Sequence, residues 1–457
     1  MFRLMRRQGL LAVGLGMLLA GCATLTPPGA NSTPGAPAAV ATTEPIELAT
    51  VTPSVVPVTP SPTAAPTQAA PVAQPTTSPE QIAAYTLELS TTVAAWLPLP
   101  PTPDASGYAP PGFEGVSVRP LTTTNGVSLW LAHSYGLRYF LDGINHFIAF
   151  FSHDGRAWQE LLKFDLLDSD YISTDSVRQV LIEPSHIWIA VDSGAGAHSG
   201  CFNLYAVDPA ARTADEAVSN CSDHPGAGEV RDLNGDGQLD VLLDHTDSYV
   251  FCYACGVRLP AFSVLSWDGT QLISQTLTPL PESAPAELRQ AVNRAVELAN
   301  GGLWKDAQAL MDQSGAAKSA EPLAQWNAAI IGVYDQALRG QIEYQPYPLL
   351  DHVFYGDYAA ALDVMRPYPP DQLFSLTGPL IKGTVAESWE STLAFWVAQA
   401  TDGALKAQRD LAAAYFLRGW AAYLVDKRNP AALVDIEKAA QLAPNEPLFS
   451  ESVKFLK

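Results

Sequence analysis

The hydrophobic pattern divides the chain into four stretches. Gly9 to Ala20 is an unbroken apolar run, too short to span a bilayer. From residue 23 to about 112 there is no periodicity, and Pro, Thr, Ala and Ser dominate, as in Thr59-Pro-Ser-Pro-Thr-Ala-Ala-Pro66. From 113 to 280, short runs rich in Val, Ile, Phe, Tyr and Trp are separated by turn residues, which predicts strands. Examples are Val127–Leu131, His146–Phe151, Ile187–Val191 and Phe202–Val207. From 284 to 457 the period changes to 3.6 in Ala-rich segments, which predicts helices. The expected fold is therefore multidomain: an all-β domain, propeller-like or a sandwich, followed by an all-α helical-repeat domain.

Turn chemistry refines this outline. Asp154-Gly155 and Asp268-Gly269 should each close a β-hairpin, because glycine accepts the positive φ that such turns need. Ser78-Pro79-Glu80 opens a short candidate helix running to Trp96, with Ser78 as cap and Pro79 in the first turn. Three turns in the last stretch repeat a pattern: Gly302-Leu-Trp304, Gly356-Asp-Tyr358 and the one at Asn429-Pro430.

The most specific chemical signal is Asp232-Leu-Asn-Gly-Asp-Gly-Gln-Leu-Asp240. Oxygen-bearing side chains recur at Asp232, Asn234 and Asp236, Gly237 permits a sharp turn, and the Gln238 carbonyl with the Asp240 carboxylate can complete a shell. Oxygen donors on a flexible loop are the chemistry of a hard cation, calcium above all. The stretch resembles an EF-hand loop in part, but the twelfth position is Leu243 instead of Glu, and no long helix precedes it. Leu239, Val241 and Leu243 continue with β period, so the loop is closer to the FG-GAP or VCBS repeats of cell-surface β-propellers. That resemblance implies a structural calcium held by Asp232, Asn234, Asp236, Gln238 through its carbonyl, and Asp240. An acidic hairpin turn without metal is the alternative.

Other motifs place the chain in the envelope. Arg3, Arg6 and Arg7 precede the apolar run, which ends in Leu19-Ala20-Gly21-Cys22. The order resembles the signal peptide and lipobox of bacterial lipoproteins, which implies cleavage before Cys22 and lipidation of its thiol. Residues 23–112 then read as a disordered, partly extended tether with an upper reach on the order of 250 Å. The net charge of −21 argues against nucleic acid as a partner. Contact with the membrane is expected through the lipid anchor alone.

The chain has five cysteines, and Cys22 is assigned to lipid. Cys201, Cys221, Cys252 and Cys255 remain, and an oxidising compartment favours disulfides. Of the three possible pairings, Cys201–Cys221 with Cys252–Cys255 is preferred. His198-x-x-Cys201 and Cys221-x-x-His224 also have zinc-finger-like spacing.

Two further resemblances bear on architecture. Ser152–Trp158 is similar to the Asp-box turn of sialidase-type propellers, where the box is structural. Arg418-Gly419-Trp420-Ala-Ala-Tyr423, leading to Ala432, Ile436, Ala439 and Pro444, resembles a tetratricopeptide repeat, with one extra residue in its turn. That resemblance implies close helix approach at Gly419 and Ala432. No hydrolase, zinc-protease or phosphate-loop motif is present, and the carboxylates Asp168/Asp170 and the group Asp244, His245 and Asp247 read as solvated turns. The expectation is a lipid-anchored, extracytoplasmic protein that binds an envelope protein or peptide. The alternative is an envelope glycan binder or glycan-processing enzyme working through the β domain.

Overall fold

The computed structural model describes residues 78–99, 105–108, 111–123, 129–138, 143–167 and 169–457. Cys22, the leader, the tether to residue 77, Val127 and Asp168 lie outside the described residues.

Helix α1 (Pro79–Ala94) starts where the Ser78 signal places it. Ser78 and Gln81 form a reciprocal capping box, each side chain bonding the other's backbone N–H. α1 is not a free piece of tether. Its Leu89 and Val93 are fully buried against Trp130, Phe147 and Phe151 of the sheet that follows.

That sheet contains β1 (Phe113–Leu121), β2 (Leu129–Leu137), β3 (His146–His153), β4 (Trp158–Leu166), β5 (Tyr171–Ile172), β6 (Val177–Val180), β7 (Ile187–Ala195), β8 (Ser199–Asp208) and β9 (Thr213–Ser222). The nine strands are antiparallel neighbours in the order β4-β3-β2-β5-β7-β8-β9, with β1 on β2 and β6 on β7. The sheet curls into a half-barrel. Alternation explains its two faces: Leu131, Ile148, Phe150, Ile189 and Val191 fill the concave side, while Trp130, Ala132, Phe147 and Ala149 point outward to α1. Both Asp-Gly turns are present. Asp154 accepts the N–H groups of Arg156 and Ala157 between β3 and β4, at 2.8 Å each.

A second sheet comprises β10 (Gly228–Arg231), β11 (Asp240–Asp244), β12 (Phe262–Trp267) and β13 (Leu272–Gln275) in sequential antiparallel order. Asp268-Gly269 closes its last hairpin, with Gly269 at φ +104°. Val241, Leu243 and Leu265 pack on Trp188, Phe202 and Leu204 of the large sheet, so the two sheets meet face to face as in a sandwich.

Helices follow: α2 (Ala286–Asn300), α3 (Trp304–Ser314), α4 (Pro322–Tyr344), α5 (Pro348–Tyr355), α6 (Tyr358–Met365), α7 (Pro370–Leu373), α8 (Glu390–Ala407), α9 (Ala412–Val425), α10 (Pro430–Leu442) and α11 (Pro447–Leu456). Each repeated turn joins a helix pair: α2 to α3, α5 to α6, and α9 to α10. The first two turns touch, since a Cβ on Gly356 would lie 2.6 Å from the Gly302 carbonyl oxygen. A Cβ on Gly419 would lie 2.6 Å from the Ala432 carbonyl oxygen, so α9 and α10 approach at that glycine. Packing also joins elements distant in sequence, as where Gly301 after α2 sits against Gly403 and Ala407 of α8.

Buried contacts cross the seam near residue 283. Val250, Phe251 and Val257 belong to the helical core, and Leu242 and Val264 pack on Ile330 and Val333 of α4.

Candidate functional site

The stretch 232–239 is the connection of the β10–β11 hairpin, whose last ladder pair is Arg231 opposite Asp240. Gly235 and Gly237 sit at φ +80° and +87°, which lets the chain turn twice within the loop. The side-chain oxygens point inward onto the loop's own backbone. Asp232 accepts from Gly235 and Gly237 at 2.7 and 2.9 Å. Asn234 accepts from the Asp236 N–H at 3.0 Å, and Asp236 accepts from the Gln238 N–H at 2.8 Å. Asp240 accepts from the Leu233 N–H at 2.9 Å.

Asp240 is 1% exposed, and burial together with the nearby Asp236 and Asp232 carboxylates pushes its pKa up to about 6. The residue types and spacing fit a calcium loop. The carboxylates accept from the loop's own N–H groups, and no set of three or more His, Cys, Asp or Glu side chains is arranged around a metal position among the described residues. The loop borders a cleft of about 290 Å³ whose opposite wall is α4, through Gln325, Ala328, Gly332 and Gln336. It therefore lies at the junction with the helices.

The sulfurs are paired as Cys201–Cys221 and Cys252–Cys255. Cys201 and Cys221 stand opposite each other on β8 and β9. Sulfurs committed to disulfides are not available to the zinc-like spacing. Cys252–Cys255 closes a short turn that docks into the helices. Trp396 Nε1 donates to the Val250 carbonyl at 3.2 Å, and Gln341 Nε2 donates to the Gly256 carbonyl at 3.0 Å. Gln341 also donates to Asp351 at 3.2 Å. Burial pushes the Asp351 carboxyl up to about 7, against the opposing pull of Gln341 and the Tyr347 N–H.

Exposed aromatic side chains occur on both the helical and the β side. Phe395 is 52% exposed and lies 5.1 Å from the Trp396 ring, while Trp389 at the start of α8 is 41% exposed. On the β side, His198, Tyr253 and Tyr249 form a row with ring centres 5.4 and 5.6 Å apart.

The remaining polar candidates are structural in their contacts. Asp170 holds Arg138 at 2.7 Å and the Gly196 N–H at 2.7 Å. His245 bonds the Ser263 hydroxyl, and Asp247 accepts from the Tyr249 N–H. Glu183, which carried no sequence signal, is 8% exposed and gathers Ser185, His186 and Trp188. The Ser185 hydroxyl lies 3.1 Å from His186 Nδ1 and donates to Glu183, while Nδ1 itself faces the Glu183 carboxylate.

No protein-family model matches the chain, and the comparison with curated proteins finds no significant match.

Proposed function

We propose that this is a lipid-anchored protein of the cell envelope that recognises a protein or peptide. Cys22 carries the lipid, and the Pro/Thr/Ala-rich tether holds the folded part away from the membrane. Among the described residues no helix is long and apolar enough to cross a membrane, so the anchor rests on the leader pattern. The observation that carries the recognition reading is the exposure of two large aromatic side chains, Trp389 at the start of α8 and Phe395 within it, the second against Trp396 of the β–α dock. Aromatic side chains are enriched among residues that dominate protein interfaces. The tetratricopeptide-like unit at 418–444 supports the same reading by analogy of fold.

The test uses soluble chain 78–457 to capture partners from envelope extract, followed by rebinding of the purified partner. A Trp389→Ser, Phe395→Ser double variant should weaken rebinding about tenfold or more, as loss of interface anchors does. Unchanged affinity would remove the reading.

A second reading is favoured by the His198–Tyr253–Tyr249 row: glycan binding by the β domain, with sugar faces stacking on the rings. Retention on insoluble envelope polysaccharide, lost in Tyr249→Ala, Tyr253→Ala, would select it.

Calcium has a supporting role in this proposal. Asp232, Asn234, Asp236, Asp240 and the Gln238 carbonyl would hold one Ca²⁺ after Asp232 and Asp236 turn from their N–H partners. Affinity is expected at about 10⁻⁴ to 10⁻³ M, and an ion at ten times its Kd would stabilise the fold by about 1.4 kcal/mol. Thermal melts of chain 78–457 should rise in calcium over chelator and rise little in magnesium, and Asp236→Ala should erase the rise. Coincident melts in all three media would leave an acidic turn.

A further inference from the structure

The described residues of the half-barrel enclose a cavity of about 660 Å³, within the size range of small-molecule sites. Its floor continues the barrel core through Leu129 and Val207, with Leu161 and Ile187 packed beside them. Leu181, 65% exposed, stands at the rim. Among the described residues, no Lys or Arg lines the cavity. The lining acid Asp208 is engaged by its own turn, accepting from Ala210 and Ala211 at 2.9 and 3.0 Å. Gln179 is likewise engaged, exchanging two hydrogen bonds with the Thr122 backbone.

His186 differs from these neighbours. Its Nδ1 lies 2.6 Å from Glu183 Oε1, and an ionised carboxylate only accepts, so the neutral ring carries its proton on Nδ1. The carboxylate stays ionised. Burial alone would raise its pKa, but donors from Ser185, His186 and Trp188 outweigh that and hold it at about 2. Trp188 Nε1 and the His186 N–H complete the grip on the same oxygen at 3.0 and 3.1 Å. In its neutral form the ring is thereby held as the Nδ1–H tautomer, which leaves the Nε2 lone pair without a protein partner among the described residues. The carboxylate that staples its own turn through the Ser185 and His186 N–H groups thus also orients an imidazole beside a largely apolar cavity.

We propose that this cavity binds a small, uncharged, largely apolar molecule carrying one hydrogen-bond donor, which His186 Nε2 accepts. The absence of cations among the described lining residues disfavours an anion, and the apolar floor disfavours a sugar. The site is separate from Trp389 and Phe395, so it stands or falls independently of partner recognition.

The test compares 4-butylphenol with butylbenzene on chain 78–457 by calorimetry, the two differing in one hydroxyl. The wild-type chain should bind the phenol saturably, one per chain, about fivefold more tightly than butylbenzene, the discrimination expected of one hydrogen bond. His186→Phe should abolish that preference without weakening butylbenzene. Leu161→Trp, at a half-buried position on the wall, should weaken both at least tenfold with an unchanged melt. Hydrogen exchange on the wild-type chain needs no variant, and 4-butylphenol should protect amides within 179–187 and 207–211. Absence of saturable binding, a preference that survives His186→Phe, or protection confined to other segments would overturn the proposal.

Discussion

A chain truncated at Glu282 is expected to lose the tertiary packing of its β domain, although composition and periodicity place a domain seam there. Val250, Phe251 and Val257 are 1%, 3% and 0% exposed, and their cover is the helical core. Burial of side chains of this size is worth about 1.5–3 kcal/mol each. Exposing all three therefore costs about 5–9 kcal/mol, comparable with the whole stability of an ordinary domain at about 5–15 kcal/mol. Polar links fail with them. The Tyr334 hydroxyl accepts the Phe262 N–H at 3.1 Å, and fully buried Asn327 bonds both the N–H and carbonyl of Thr278. Chain 78–457 should melt in one cooperative transition. Fragment 78–282 should show strands by far-ultraviolet circular dichroism but bind a hydrophobic dye and give no sharp melt. A fragment melting cooperatively within a few degrees of chain 78–457 would show that the two parts are independent.

Trp420→Ala is expected to be the most damaging single substitution in the helical region. Trp420 is 0% exposed, and its Nε1 donates to the Leu373 carbonyl at 2.8 Å, tying α9 to α7. Truncating a buried tryptophan costs about 3–5 kcal/mol, and the orphaned carbonyl adds about 1–3 kcal/mol. Trp420→Phe keeps much of the packing and loses the N–H, so it should fall well short of the alanine cost. Urea unfolding midpoints separate the two contributions. Phe395→Ala, at an exposed position on α8, should stay within about 0.5 kcal/mol of wild type. An alanine cost at Trp420 below about 1.5 kcal/mol would mean that the site collapses around the gap.

What was legible in the sequence was local. Ser78, Asp154-Gly155, Asp268-Gly269 and the glycines at 302 and 356 act within a few residues of themselves, so their caps and turns follow from backbone preference. Strand alternation from His146 to Phe151 separates Phe147, Ala149 and Phe151 from Ile148 and Phe150, and those two sets lie on opposite faces of the sheet. The preferred disulfide pairing is the one present. The spacing of oxygen side chains from Asp232 to Asp240 is also local, so the loop stands out from the residue order alone.

Other features depend on partners far along the chain. The assignment of Val250, Phe251 and Val257 to the helical core cannot be read from β-type runs, since periodicity reports that a face is buried and not what covers it. α1 lies in a stretch whose composition reads as tether, yet its apolar face finds Trp130 and Phe147 and is buried there. Glu183 and His186 gave no motif, because their meaning lies in a cavity walled by β2, β4, β7 and β8. Residue order is enough to say where strands, helices, turns and oxygen donors fall. That the small sheet and its β11–β12 connection bury residues against the helices emerges only on folding, because burial is a property of pairs of surfaces and no single stretch of chain carries both.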